Sequence, residues 1–122
     1  MTAALHGLML CDDLMFTSKV TGTAHAVGVT VTAIRTVERL IALAETVPPS
    51  CVILDLHNTT LDLPALLSSL REKCPTMPRV IAFGSHVDVD LLAAARQAGC
   101  DRVMPRSQFV KQLETGLKEW LS

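Results

Sequence analysis

The chain has 122 residues, 49% of them hydrophobic, with 11 Lys and Arg against 12 Asp and Glu and a net charge of −1. That length predicts one domain, residues 1–122, able to bury a core without staples, and the apolar content excludes disorder. The balanced charge offers no basic surface to a nucleic-acid backbone, no apolar run is long enough to span a membrane, and Met1 to Leu10 lacks the charged start and long apolar stretch of a signal peptide. The cytoplasm is the expected compartment.

Strand-like and helix-like patterns alternate along the chain. Gly7–Cys11 reads as a first strand, and Leu14–Val27 as a helix closed by Gly28. Val29–Ile34 is a second strand. Val37, Leu40, Ile41 and Ala44 follow helical spacing after a Thr36 cap, and that helix stops before Pro48-Pro49. Cys51–Asp55 is a third strand. Asp62 and Pro64 open a helix with Leu66, Leu67 and Leu70 on its inner face. Val80–Phe83 is a fourth strand. Ser85-x-x-Asp88 resembles a capping box for a helix ending at Ala98-Gly99. Asp101–Met104 is a short fifth strand, and Ser107 caps one last helix carrying Phe109, Val110, Leu113, Leu117 and Leu121 on one side. Five such units predict an α/β fold of three layers, a flavodoxin-like (βα)5 arrangement with a five-stranded parallel sheet in the order 2-1-3-4-5.

The most informative run is Cys51-Val52-Ile53-Leu54-Asp55. It is apolar throughout, as in a strand buried on both faces, and ends in a carboxylate. Asp is rarely core filling, and ligands of open α/β sheets bind beyond the carboxyl ends of the strands. In the predicted order the first and third strands are neighbours, so Asp12, Asp13 and Asp55 converge in one pocket. Such a cluster calls for a cation or a raised pKa. Mg²⁺ suits oxygen ligands of this kind, and an ionised Asp beside it can attack phosphorus. Asp13 also precedes a helix and has a second reading as a plain N-cap. The four cysteines, Cys11, Cys51, Cys74 and Cys100, form no CxxC pair and read as free thiols.

On these residues the chain resembles a response-regulator receiver domain of two-component signalling, over essentially its whole length. Asp12-Asp13 matches the family's metal-binding acids and Asp55 its phosphoacceptor. His57 stands where the family offers a backbone carbonyl to the metal, and Leu91 to Cys100 is similar to the fourth helix with its Ala-Gly ending. The resemblance implies Mg²⁺ as cofactor, no turnover enzyme, and a sensor histidine kinase, a phosphotransfer protein or another signalling protein as partner. It also implies a homodimer surface on the fourth helix, fifth strand and fifth helix. The chain departs from the pattern elsewhere. Gly84 replaces the Thr or Ser that contacts the phosphoryl group, with Ser85 as the nearest hydroxyl. Arg106 replaces the Lys, with Pro105 before it, and Val103 replaces the switch aromatic. Arg is a planar fork rather than a point charge, and pairing of Arg106 with Asp55 or Asp12 is expected. An alternative follows: a phosphorylation-independent pseudo-receiver that acts as a protein-binding or dimerisation module. A remote alternative is a haloacid-dehalogenase-like phosphatase, since Asp55-Leu56-His57 resembles its first motif. That motif needs a second Asp where His57 stands.

Overall fold

The computed structural model describes residues 5–122. Strands β1 (His6–Leu10), β2 (Thr30–Ile34), β3 (Cys51–Asp55), β4 (Arg79–Gly84) and β5 (Arg102–Pro105) form a parallel sheet in the order β2-β1-β3-β4-β5. Helices α1 (Leu14–Ala26), α2 (Val37–Thr46), α3 (Leu63–Lys73), α4 (Val89–Ala98), α5 (Arg106–Lys111) and α6 (Leu113–Leu121) complete the layers. This is the expected strand order.

The pleat of β3 explains the two cores. Val52 and Leu54 pack in one cluster with Leu40, Leu66, Leu70 and Leu92, from α2, α3 and α4. Cys51 and Ile53 join the other, with Val20, Phe109, Leu117 and Trp120 from α1, α5 and α6. Ile53 and Leu54 are fully shielded from solvent, a gain of about 1.5–3 kcal/mol each. Side chains alternate along a strand, so Asp55 emerges on the Cys51–Ile53 side, toward α1 and α5.

Register then assembles the site. Leu10 pairs with Leu54, Asp55 with Phe83, and Gly84 with Pro105. The chain leaves β1, β3, β4 and β5 along one sheet edge, which carries Cys11 to Asp13, Asp55 to His57, Ser85 and Arg106.

Most helix signals operate as the residues predict. Thr36 Oγ1 accepts from the Arg39 N–H at 3.4 Å, and Asp62 Oδ1 accepts from the Ala65 N–H at 3.2 Å. Gly28 and Gly99 follow α1 and α4 at φ of 83° and 107°, a left-handed conformation that only glycine adopts freely. Three expectations need correction. Ser85 caps no helix: α4 starts at Val89 with Asp88 at its N-cap, and residues 85–88 form a turn closed by Asp88 N–H to Ser85 O at 3.1 Å. Asp88 makes no side-chain cap bond, because its carboxylate faces His57 instead. Ser107 is not a cap either. Pro105, held at φ −61° and ψ 150°, ends the extended chain, and α5 begins at Arg106, two residues before a Ser107 cap would start it. The last helix is two helices, broken where Gln112 adopts φ −93° and ψ 1°. The Met104–Pro105 bond is trans.

No helix among the described residues is long and apolar enough to cross a membrane.

Candidate functional site

Asp55 is 5% exposed at the end of β3. One carboxylate oxygen, Oδ1, accepts from the His57 backbone N–H at 2.9 Å. The other, Oδ2, accepts from the Cys11 thiol at 3.6 Å and lies 3.6 Å from Arg106 Nη2. Arg106 Nη1 lies 3.5 Å from Asp13 Oδ2. One guanidinium therefore spans two carboxylates. It is supported from below by the Phe16 ring, 4.4 Å from the guanidinium carbon, with Phe83 at 5.4 Å.

Asp13 holds both of its roles. Its Oδ1 caps α1 by accepting from the Phe16 N–H at 3.1 Å, and its Oδ2 faces Arg106. The Phe16 hydrogen bond, more than Arg106, holds its carboxyl below the usual range. Arg106 thus meets Asp55 as expected, and meets Asp13 in place of Asp12. Asp12 is exposed, with no side-chain hydrogen bond or ion pair among the described residues. The three acids share the edge but do not close on one point, and no three His, Cys, Asp or Glu side chains among the described residues are grouped to hold an ion. The donor chemistry still fits a hard dication: Mg²⁺ takes one or two carboxylates and fills its shell with water. At Asp13 Oδ2 and Asp55 Oδ2 such an ion would compete with Arg106.

The His57 side chain faces the turn after β4. Its Nε2 accepts from the Ser85 N–H at 3.0 Å and lies 3.5 Å from Asp88 Oδ2. The two contacts belong to different protonation states, since an imidazolium nitrogen cannot accept. A Cβ on Gly84 would lie 3.4 Å from that same Nε2. The imidazole thus borders the end of β4. Ser85 Oγ accepts from the Val87 N–H at 3.4 Å.

Two further groups escape a local reading of the sequence. Asn58, 6% exposed, donates through Nδ2 to Arg35 O at 2.9 Å, and its Oδ1 accepts from the Thr60 N–H and hydroxyl at 3.0 and 2.6 Å. Thr60 Oγ1 in turn accepts from the Val37 N–H at 3.1 Å. The loop after Asp55 is thereby fastened to the start of α2. Only the turn-forming bias of Asn-Thr-Thr hinted at this.

Cys11 is the other. Burial pushes its thiol up to about 11, and the nearby Asp55 charge adds to the effect. Burial likewise lifts Cys51 to about 12 and Cys100 to about 11. All four thiols are free. At about pH 8 the folded protein is therefore expected to resist alkylation by iodoacetamide, since the thiolate is the nucleophile. A group with a raised folded pKa contributes stability below its unfolded pKa and loses it as pH climbs through the folded value. Urea midpoints should hold up to about pH 9, where an ordinary thiol ionises, and then fall toward pH 11 to 12. Fast alkylation of Cys11 at neutral pH would refute this account.

By sequence, no family model matches the chain and no curated protein matches it. Solved structures do. A response-regulator receiver domain from Bermanella marisrubri superposes with a TM-score of 0.83 at 19% identity, covering 98% of this chain and 100% of that one. The receiver domain of a sensor histidine kinase from Pseudomonas aeruginosa, with magnesium coordinated in its active-site cleft, gives 0.79 at 17% identity, covering 98% of each. A Burkholderia pseudomallei response regulator with a phosphorylated aspartic acid and a calcium ion gives 0.72 at 17%, covering 93% of this chain and 69% of that one. The chain has the fold of response-regulator receiver domains.

Proposed function

We propose that this chain is a two-component receiver module in which Asp55 accepts a phosphoryl group and relays the signal through protein–protein contact. The carrying observation is the Asp55 carboxylate itself: shielded at the end of β3, with Oδ1 held by the His57 N–H and Oδ2 facing Arg106. Pinning one oxygen orients the other toward an incoming phosphorus. In the transfer, that oxygen forms a bond to phosphorus while the P–N bond of a donor phosphohistidine breaks and the imidazole leaves with the electron pair. The donor is a sensor histidine kinase or a phosphotransfer protein. Arg106 stands in for Lys as the cation beside the transferring group. Asp12, Asp13, Asp55 and the His57 carbonyl would hold Mg²⁺, which when bound supplies positive charge against the phosphoryl oxygens. The contact face in this reading is α4, β5 and α5, where homodimerisation also belongs. Val87 and Val89, 70% and 65% exposed, give the start of α4 an apolar surface for it.

A specific observation favours the second reading, a phosphorylation-independent module: Gly84 supplies no hydroxyl, and the His57 imidazole lies against it. The phosphatase reading leaves the Asp13–Arg106–Asp55 arrangement without a role.

Intact mass after incubation with Mg²⁺ and a small-molecule phosphodonor decides between the first two. A single phosphoryl adduct that requires Mg²⁺ and vanishes in Asp55→Asn is the expected result. A folded protein that stays unmodified leaves the phosphorylation-independent module.

A further inference from the structure

Beside the acids, between α1 and α5, opens a cleft of about 870 Å³. Its apolar lining is Phe16, Pro105 and Val110. Its polar lining is all basic or neutral: Lys19, Arg106 and Lys111 carry permanent charge, His57 and His86 add imidazoles, and Ser85 and Ser107 add hydroxyls. Among the described residues no Asp or Glu lines it, although the chain carries more acids than bases. Neither Lys19 nor Lys111 is in an ion pair with a carboxylate among the described residues. An ordinary solvated face intersperses both signs. Here two lysines share one concavity with Arg106, and while Arg106 faces Asp13 and Asp55, Lys19 and Lys111 have no counter-charge among the described residues, a place an anion would fill.

The apolar lining narrows the choice of anion. Small-molecule sites combine apolar walls with a few polar groups that fix orientation, in volumes of about 300–1,000 Å³. A bare phosphate would gain nothing from Phe16, Pro105 and Val110, and an apolar molecule would leave the lysines unanswered. Lys and Arg donors with hydroxyls beside them are the groups that recognise phosphate oxygens. We infer that this cleft binds a small organic phosphate, its dianion held by Lys19, Lys111 and Arg106 and its apolar body against Phe16, Pro105 and Val110.

Arg106 belongs to both sites. A ligand that engages the guanidinium competes with Asp13 and Asp55 for it, so occupancy of the cleft and the charge state of the acid cluster are linked. The inference itself does not depend on phosphorylation of Asp55.

The test is a titration of isotope-labelled protein with naphthyl phosphate, followed by backbone amide shifts, beside inorganic phosphate and naphthol. Saturable shifts are expected at Lys19, Ser85, Ser107, Val110 and Lys111, with affinity at least about tenfold above either half-ligand. The double variant Lys19→Glu/Lys111→Glu changes two exposed side chains, and unchanged β3 shifts will report that it folds. It should bind more than about tenfold more weakly. Asp55→Asn should still bind, so that this site and phosphoryl acceptance can fail separately. The inference is overturned if inorganic phosphate binds as tightly as the ester, which would mark a bare-anion surface such as an acidic partner uses. It is equally overturned if the shifts never saturate, or if the charge-reversed variant binds like the parent.

Discussion

Trp120→Ala is expected to cost about 3–5 kcal/mol of folding stability, the range for removing a large buried aromatic side chain. Trp120 is 2% exposed on the last helix. Its ring stacks on Phe109 at 5.6 Å and 15°, Phe109 stacks on Phe83 at 4.8 Å, and Phe83 lies 5.1 Å from Phe16, on which Arg106 rests. The chain has three Phe, one Trp and no Tyr, so this one column holds every aromatic residue. It runs from α6 to the guanidinium beside Asp55. Total stability of such a domain is about 5–15 kcal/mol, so the loss should be plain as a lowered urea midpoint.

Gly116 supplies a control whose sign reverses. A Cβ there would lie 2.6 Å from Trp120 Cζ2. Gly→Ala in a helix ordinarily gains about 1 kcal/mol, but the indole is packed on Phe109 and cannot swing clear, so overpacking of about 1–3 kcal/mol wins. With Trp120→Ala in place the clash is gone, and Gly116→Ala should become stabilising. If Gly116→Ala stabilises the parent protein as well, the indole is not held where the column requires.

What could be read from the residues in advance, and what could not, divides along sequence separation. Cys51–Asp55 was legible because a wholly apolar run ending in a carboxylate has one comfortable place, a central strand whose end reaches the site. Asp62 with Pro64 and Ala98 with Gly99 declared their helix ends through local hydrogen bonding and backbone freedom. The misread boundaries are those where a distant partner overrides a local preference. Ser85 and Asp88 both suit a cap, but His57 on another strand's loop accepts the Ser85 N–H and draws the Asp88 carboxylate. Ser107 suits a cap too, but Pro105 starts the helix two residues sooner. The same reason hid the Cys11 thiol, the Asn58 clamp and the aromatic column. Cys11 and Asp55 are 44 residues apart and Asn58 and Arg35 are 23 apart, and no periodicity reports which side chain reaches which. Arg106 was visible as a departure from Lys. Its choice of Asp13 over Asp12 was not, because that follows from Asp13 being pinned as the α1 cap beside the ring that carries the guanidinium.

Arg106→Ala is expected to cost about 2 kcal/mol near neutral pH, most of it through Asp55. The arm to Asp13 joins two half-exposed side chains, 40% and 46% accessible, and pairs of that kind contribute about 0–1 kcal/mol. The arm to Asp55 meets a carboxylate whose side chain is 7% exposed. Without Arg106 that charge keeps only the His57 N–H and the Cys11 thiol, and stripping a partner from a shielded charge is costly. Loss of the contact with Phe16 adds about 0.5–1 kcal/mol. A double-mutant cycle in urea separates these contributions. In an Asp55→Asn background Arg106→Ala should cost only the ring contact and the Asp13 arm, giving a coupling energy of about 1 kcal/mol or more. Arg106→Lys keeps the charge but replaces a fork by a single ammonium, which cannot span Asp13 and Asp55 together. It should recover part of the loss and release one acid, leaving that carboxylate freer to take Mg²⁺. Equal unfolding midpoints and equal Mg²⁺ affinity in the parent, Arg106→Ala and Arg106→Lys would mean that the guanidinium bridge carries neither stability nor control of the acids.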